Sequence, residues 1–155
     1  MTINAINRHT PLDIDYATCD STYVDLLIYI EGQDIQTVCD IMNVEATSIQ
    51  NKGDKIKNSR GIERSAKSSY WRLSSENKVL SKDVRHHLDW LIEKLDKDKD
   101  NLIALQKNSG VSMFVYCNWW SSVGHGGPTI WPEQMKALAK LNLELSFDIY
   151  FNDDE

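Results

Sequence analysis

Apolar and polar residues alternate in several stretches of the chain and recur at helical spacing in others. From Tyr23 to Ile30, Val24, Leu26, Ile28 and Ile30 fall on one side of an extended backbone, with Tyr23, Asp25, Leu27 and Tyr29 on the other. Val111 to Trp120 sets Val111, Met113, Val115, Cys117 and Trp119 against Ser112, Phe114, Tyr116, Asn118 and Trp120. Leu143 to Phe151 sets Leu143, Leu145, Phe147, Ile149 and Phe151 against Glu144, Ser146, Asp148 and Tyr150. Ser69 to Ser75 predicts a further strand, and Thr47 to Gln50 a short one. Ile35, Val38, Cys39 and Met42 share one helix face, with Asp34 as the cap and Asn43 at the left-handed end. Val84, Leu88, Leu91, Ile92 and Leu95 form a second stripe behind a Ser81 cap. The charged run 96–101 predicts a kink before Leu102, Ile103 and Leu105 resume the packing. Pro132 suits the first turn of a last helix, with Met135, Leu138 and Ala139 as its apolar face.

These elements predict an α+β domain: a single, mostly antiparallel sheet of about five strands with helices packed on one face, compatible with a ferredoxin-like arrangement. Each end of the chain runs strand, helix, strand. The two helix exits read Met42-Asn43-Val44-Glu45 and Leu141-Asn142-Leu143-Glu144, as a duplicated βαβ unit would. Residues 1–20 are expected to be a flexible N-terminal segment, 21–152 the domain and 153–155 an acidic tail.

Composition narrows the partners. The 155 residues carry a formal charge of −6, which disfavours bulk nucleic-acid binding because phosphate contacts need a basic face. Basic residues concentrate between Lys52 and Lys67, either as a solvated loop or as a contact for an acidic partner. No apolar run approaches the ~20 residues of a membrane span, and Met1 to Asp20 lacks a secretory stretch, so the expected location is the cytoplasm. Cys19, Cys39 and Cys117 show no C-x-x-C spacing and are expected as free thiols. His86 and His87 are adjacent on a helix and point apart, so no histidine metal site and no cofactor are expected. No P-loop, H-E-x-x-H, G-x-G-x-x-G or G-x-S-x-G occurs.

The halves differ most in the connection after the Val111 strand, which holds Gly124, His125, Gly126, Gly127 and Pro128. Long loops on rigid scaffolds carry function. Flanking glycines let backbone N–H groups meet a small anion, with His125 titrating nearby; equally, the glycines serve a structural turn. Trp119, Trp120 and Trp131 bracket this loop, with Tyr116 and Tyr150 in reach. Alternation forbids Trp119 and Trp120 from facing the same way, so one is a candidate contact residue. Asp25, Glu144 and Asp148 would approach one another if the first and last strands paired, as acid and base or as a wet sheet face.

Lys52-Gly53-Asp54, Tyr70-Trp71-x-Leu73-Ser74-Ser75, Gly124-His125-Gly126-Gly127 and Asp148-Ile149-Tyr150 occur in this order between Tyr23 and Asn152. In that combination the chain resembles domain-of-unknown-function family 4279, a mainly bacterial family. The resemblance implies a fold and no activity, substrate or catalytic residue. Small acidic bacterial proteins of such families often act as immunity or antitoxin partners, which is analogy. The expected function is a non-catalytic module that binds another protein, of immunity type. The alternative is a small-molecule or anion-binding protein, or a weak hydrolase, centred on Gly124–Pro128.

Overall fold

The alternation read at Tyr23 lies in the longest strand, β1 (Cys19–Ile30), of a computed structural model that describes residues 7–151. Around it come α1 (Gln36–Ile41), β2 (Ser48–Gln50), β3 (Lys55–Lys57), β4 (Glu63–Ser65), β5 (Ser69–Ser74), α2 (Val84–Lys94), α3 (Lys99–Gln106), β6 (Val111–Ser121), α4 (Pro132–Lys140) and β7 (Leu145–Phe151). One five-stranded sheet has the order β2-β5-β1-β6-β7; β3 and β4 form a separate two-stranded hairpin. All pairings in the large sheet are antiparallel except β6 with β7. Two strands at the centre, β1 and β6, register Leu26 opposite Val115 and Val24 opposite Cys117, so their aliphatic sides coincide.

Helices cover that aliphatic side. Val38 of α1, Leu88 and Leu91 of α2, Leu102 and Leu105 of α3 and Leu138 of α4 join one cluster with Val24, Leu26, Ile28, Trp71, Val115 and Trp119. Each large apolar side chain enclosed there stabilises the fold by about 1.5–3 kcal/mol. The opposite side of the sheet receives none of these helix side chains.

Several local expectations change. Asp83, not Ser81, caps α2: its carboxylate accepts the Arg85 N–H at 3.1 Å, while Ser81 bonds His86 Nδ1 at 2.6 Å. On α4, Met135 and Ala139 face solvent, and Gln134 takes the inward place beside Leu138. Its amide accepts the Trp131 N–H and donates to Asp89, which satisfies it in the interior. The break at 96–101 is a 3-10 turn, Asp96–Asp98, and its charge is not all wet. Buried Asp98 accepts the N–H groups of Asn43 at 2.7 Å and Val44 at 2.9 Å, tying the exit of α1 to the start of α3. Asn43 is therefore held by a carboxylate, whereas its counterpart Asn142 adopts the left-handed conformation, φ 54°.

Of the lead-in expected over 1–20, residues 1–6 lie outside the described residues, as does the acidic tail 153–155. Residues 19–20 open β1. The stretch between is tied to the body: Arg85 donates to the carbonyl oxygens of Thr10 and Pro11, and the Asp13 N–H donates to Asp83. Arg85 and Asp83 are wholly enclosed and pair at 2.7 Å. Burial alone would raise the Asp83 pKa, but hydrogen bonds from Arg85 and Asp13 outweigh it and hold the carboxyl below its ordinary range.

Candidate functional site

The uncovered side of the sheet carries the other half of each alternation. Strand register places Tyr23, Asp25 and Tyr29 (β1), Tyr70 and Arg72 (β5), Phe114, Tyr116, Asn118 and Trp120 (β6), and Asp148 and Tyr150 (β7) on it. Five of the six tyrosines in the chain are among them. They lean on one another: Trp120 stacks on Tyr150 at 4.7 Å, Tyr23 meets Trp120 at 5.8 Å, and Tyr29 stacks on Phe114 at 6.3 Å. Their rings are partly exposed. Such side chains have an apolar body with a polar handle and tolerate a half-wet surface.

Polar groups run beneath and between these rings. Arg72 pairs with Asp25 at 3.1 Å and with Glu76 at 3.1 Å. Burial raises the pKa of Asp25, against the lowering effect of bonds from Ser74 and Arg72. One carboxylate oxygen of Asp25, Oδ1, and the amide nitrogen of Asn118 are buried without a hydrogen-bond partner among the described residues. Asp148 accepts the Tyr150 hydroxyl. Tyr116 has its pKa pushed up to about 12, first by hydrogen bonding to Asp148. Because β6 lies between β1 and β7, Asp25 does not meet Asp148 across paired strands, and Glu144 precedes β7. The expected three-carboxylate approach is not formed.

At one end of this face, Tyr23 and Trp120 border a groove of about 570 Å³ that also touches Ile14, Asp20, Glu76 and Leu80. Leu80 is 83% exposed and Ile14 57%. The corner thus joins exposed aliphatic groups, indole and phenol rings, the carboxylates of Asp15, Asp20 and Glu76 and the single ammonium of Lys82. Neither the groove nor Leu80 was foreseen, because residues 76–82 have no periodicity.

The sequence-predicted residues divide accordingly. Tyr116, Trp120, Asp148 and Tyr150 come together on the open face. Trp119 lies wholly within the helix-side core. Trp131 packs against the guanidinium groups of Arg85 at 4.8 Å and Arg8 at 5.3 Å, and is the N-cap residue before α4. Gly124, His125, Gly126 and Gly127 form a turn packed on the lead-in. Gly124 and Gly126 have φ of 78° and 93°, and a Cβ at Gly126 would lie 2.6 Å from Thr18 Oγ1. The Ser121 hydroxyl donates to the His125 carbonyl, and Tyr16 donates to that of Gly127. His125 itself is exposed, and its imidazole has no hydrogen-bond partner among the described residues.

Two serine–histidine contacts were not anticipated. Ser75 Oγ lies 2.6 Å from His87 Nδ1, and the His87 Nε2–H donates to the Ser81 carbonyl at 2.7 Å. Ser75 is fully enclosed and its oxygen already accepts the Val24 N–H, so it presents no nucleophile. Ser81 Oγ likewise accepts the Asp83 N–H. Burial raises the Cys19 and Cys117 thiols to about 12, against reactive thiolates. Among the described residues no group of three or more His, Cys, Asp or Glu side chains is placed to hold a metal ion. Nor, among the described residues, is any helix long and apolar enough to cross a membrane.

A family model described as a domain of unknown function matches residues 20–152. No curated protein and no solved structure matches the chain.

Proposed function

The chain belongs to that family, DUF4279, and from the geometry of its open face we propose a non-catalytic binding module that docks a basic segment of a partner protein. The Tyr23–Trp120–Tyr150 cluster at the rim of an acidic groove is the observation that supports this most. Ring faces and carboxylates both attract lysine and arginine. Exposed Ile14 and Leu80 supply the apolar centre that a protein contact uses. A net charge of −6 steers a cationic partner toward the surface. Arg72, the one cation at these strand positions, is already matched by Asp25 and Glu76, which argues against a nucleic-acid backbone as the ligand. An immunity-type role in the bacterial cytosol, with an acidic protein covering a basic one, is the biological form of this reading. The order β2-β5-β1-β6, with β1 and β2 on either side of β5, supports a ferredoxin-like arrangement. A duplicated βαβ unit has less behind it, because the two helix exits differ in conformation.

The test titrates the purified protein with an arginine-rich peptide and follows tryptophan emission. Saturable binding should weaken as salt rises, fail in Trp120→Ala and Tyr150→Ala, and persist in His125→Ala. Binding indifferent to Trp120→Ala would overturn the proposal. The loop-centred alternative predicts the reverse: a phosphate-induced thermal shift that His125→Ala abolishes.

A further inference from the structure

We infer that, in the protein alone, the cation received by this corner is the β3–β4 hairpin of a second copy, so that two molecules lie antiparallel with each hairpin on the other's corner. The inference rests on the reading that the corner accepts basic groups. Segment 52–67 holds six Lys or Arg against Asp54 and Glu63, a balance of 6 − 2 = +4, in a chain of net −6. The remainder therefore carries −6 − 4 = −10. Within the segment, only Lys55 has an ion-pair partner among the described residues, Glu63 at 3.7 Å.

The hairpin is also structurally unsupported. Its strands pair only with each other, and every residue from Lys52 to Ser65 is exposed except half-buried Ile56. Ile62 is 60% exposed. A two-stranded ribbon alone is marginal in water, and docking would stabilise it. The corner is complementary: its three carboxylates outnumber Lys82, Asp15 and Asp20 have no ion-pair partner among the described residues, and the buried Asp25 Oδ1 lies on the same face without a hydrogen bond.

Position favours a closed pair. The hairpin leaves the large sheet between Gln50 and Ser69, at the end where Ile30 opposes Val111. Tyr23, Trp120, Glu76 and Tyr150 lie toward the other end, where Cys19 opposes Ser121. A molecule with one basic and one acidic end satisfies both contacts at once when two copies lie antiparallel, a two-fold arrangement without open ends. The overall like charge opposes approach, but it is screened beyond about 10 Å at 0.1 M salt, and facing side chains meet inside that distance.

Sedimentation velocity over a concentration series tests this. A dimer is expected at low salt, with its dissociation constant rising on the order of tenfold or more as the Debye length contracts to about 3 Å near 1 M. Arg60→Glu with Arg64→Glu should weaken it on the order of tenfold or more, as should Asp20→Lys with Glu76→Lys. All four residues are exposed, so the folds should persist. Mixing the two variants should restore a dimer: the unaltered hairpin meets the unaltered corner, and the altered hairpin, its balance cut from +4 to 4 − 4 = 0, no longer faces like charge at the reversed corner. A monomer at every concentration, a dimer indifferent to salt, open-ended growth, or failure of the mixture each overturns the inference. A monomer that still binds the arginine-rich peptide through Trp120 overturns it alone; a monomer that binds no peptide removes the underlying reading too.

Discussion

Trp119 and Trp120 are neighbours in the chain, and replacing each with alanine should have very different consequences. Trp119 is 0% exposed and packs under the helices. Truncating a buried tryptophan costs about 3–5 kcal/mol, including the cavity left behind. That removes much of a typical 5–15 kcal/mol of stability. Trp120 is half-buried and leans on Tyr150 at 4.7 Å and on Tyr23 at 5.8 Å. Each aromatic pair contributes about 0.5–1.5 kcal/mol beyond area, so its loss should cost roughly 1–3 kcal/mol. Urea unfolding followed by far-ultraviolet circular dichroism measures both without relying on the indoles. The midpoint should fall further for Trp119→Ala, with similar slopes for both variants. A Trp120→Ala variant as unstable as Trp119→Ala would mean that the second indole is core, and the open-face reading would fail with it.

The glycine turn offers a sharper pair. Gly126→Ala should cost about 1–3 kcal/mol, because its φ of 93° is strained for alanine and its Cβ would meet Thr18; Gly127→Ala, with open space around it, should melt close to the wild type. His87 predicts a pH dependence: burial lowers its folded pKa, so the unfolded chain takes up the proton first. That contribution to stability is complete above the unfolded value of about 6.5 and is lost as pH falls toward the folded one. Urea midpoints across this window should decline for the wild type and decline less for His87→Gln; equal slopes would show that other groups control the acid limb.

Strand β6 and the Tyr23–Ile30 part of β1 were legible, since a period of two over eight or more residues has no competing explanation; the opening of β1 at Cys19 was not, because Asp20, Ser21 and Thr22 are a polar run without alternation. Other features were hidden for physical reasons. The β3–β4 hairpin is polar on both sides, so alternation gives no signal for it. Strand β7 reads like a central strand, yet it lies at an edge beside β6, and Phe147 remains 45% exposed; periodicity reports which residues share a side and not how well that side is covered. Asp98 and Gln134 give no sign of burial in the sequence, because polar residues usually lie at the surface. Both are enclosed because hydrogen bonds replace the water they lose.

The candidate site was half legible for a related reason. Alternation separates Trp119 from Trp120 but does not say which side the helices take. Side-chain chemistry supplies the missing choice. Val24, Leu26, Ile28 and Val115 present only aliphatic groups and match the leucine stripes of α2 and α3, so leaving them wet would forfeit about 25 cal/mol for each Å² of apolar surface. The opposite side sets tyrosine, tryptophan, aspartate and asparagine in register, and covering it with aliphatic helices would strand their hydroxyl, carboxylate and amide groups without water. A helix layer therefore favours the first side, and the second is left without one. On this logic the concentration of tyrosines on one parity of the strands was the pointer to the side that the helices leave open.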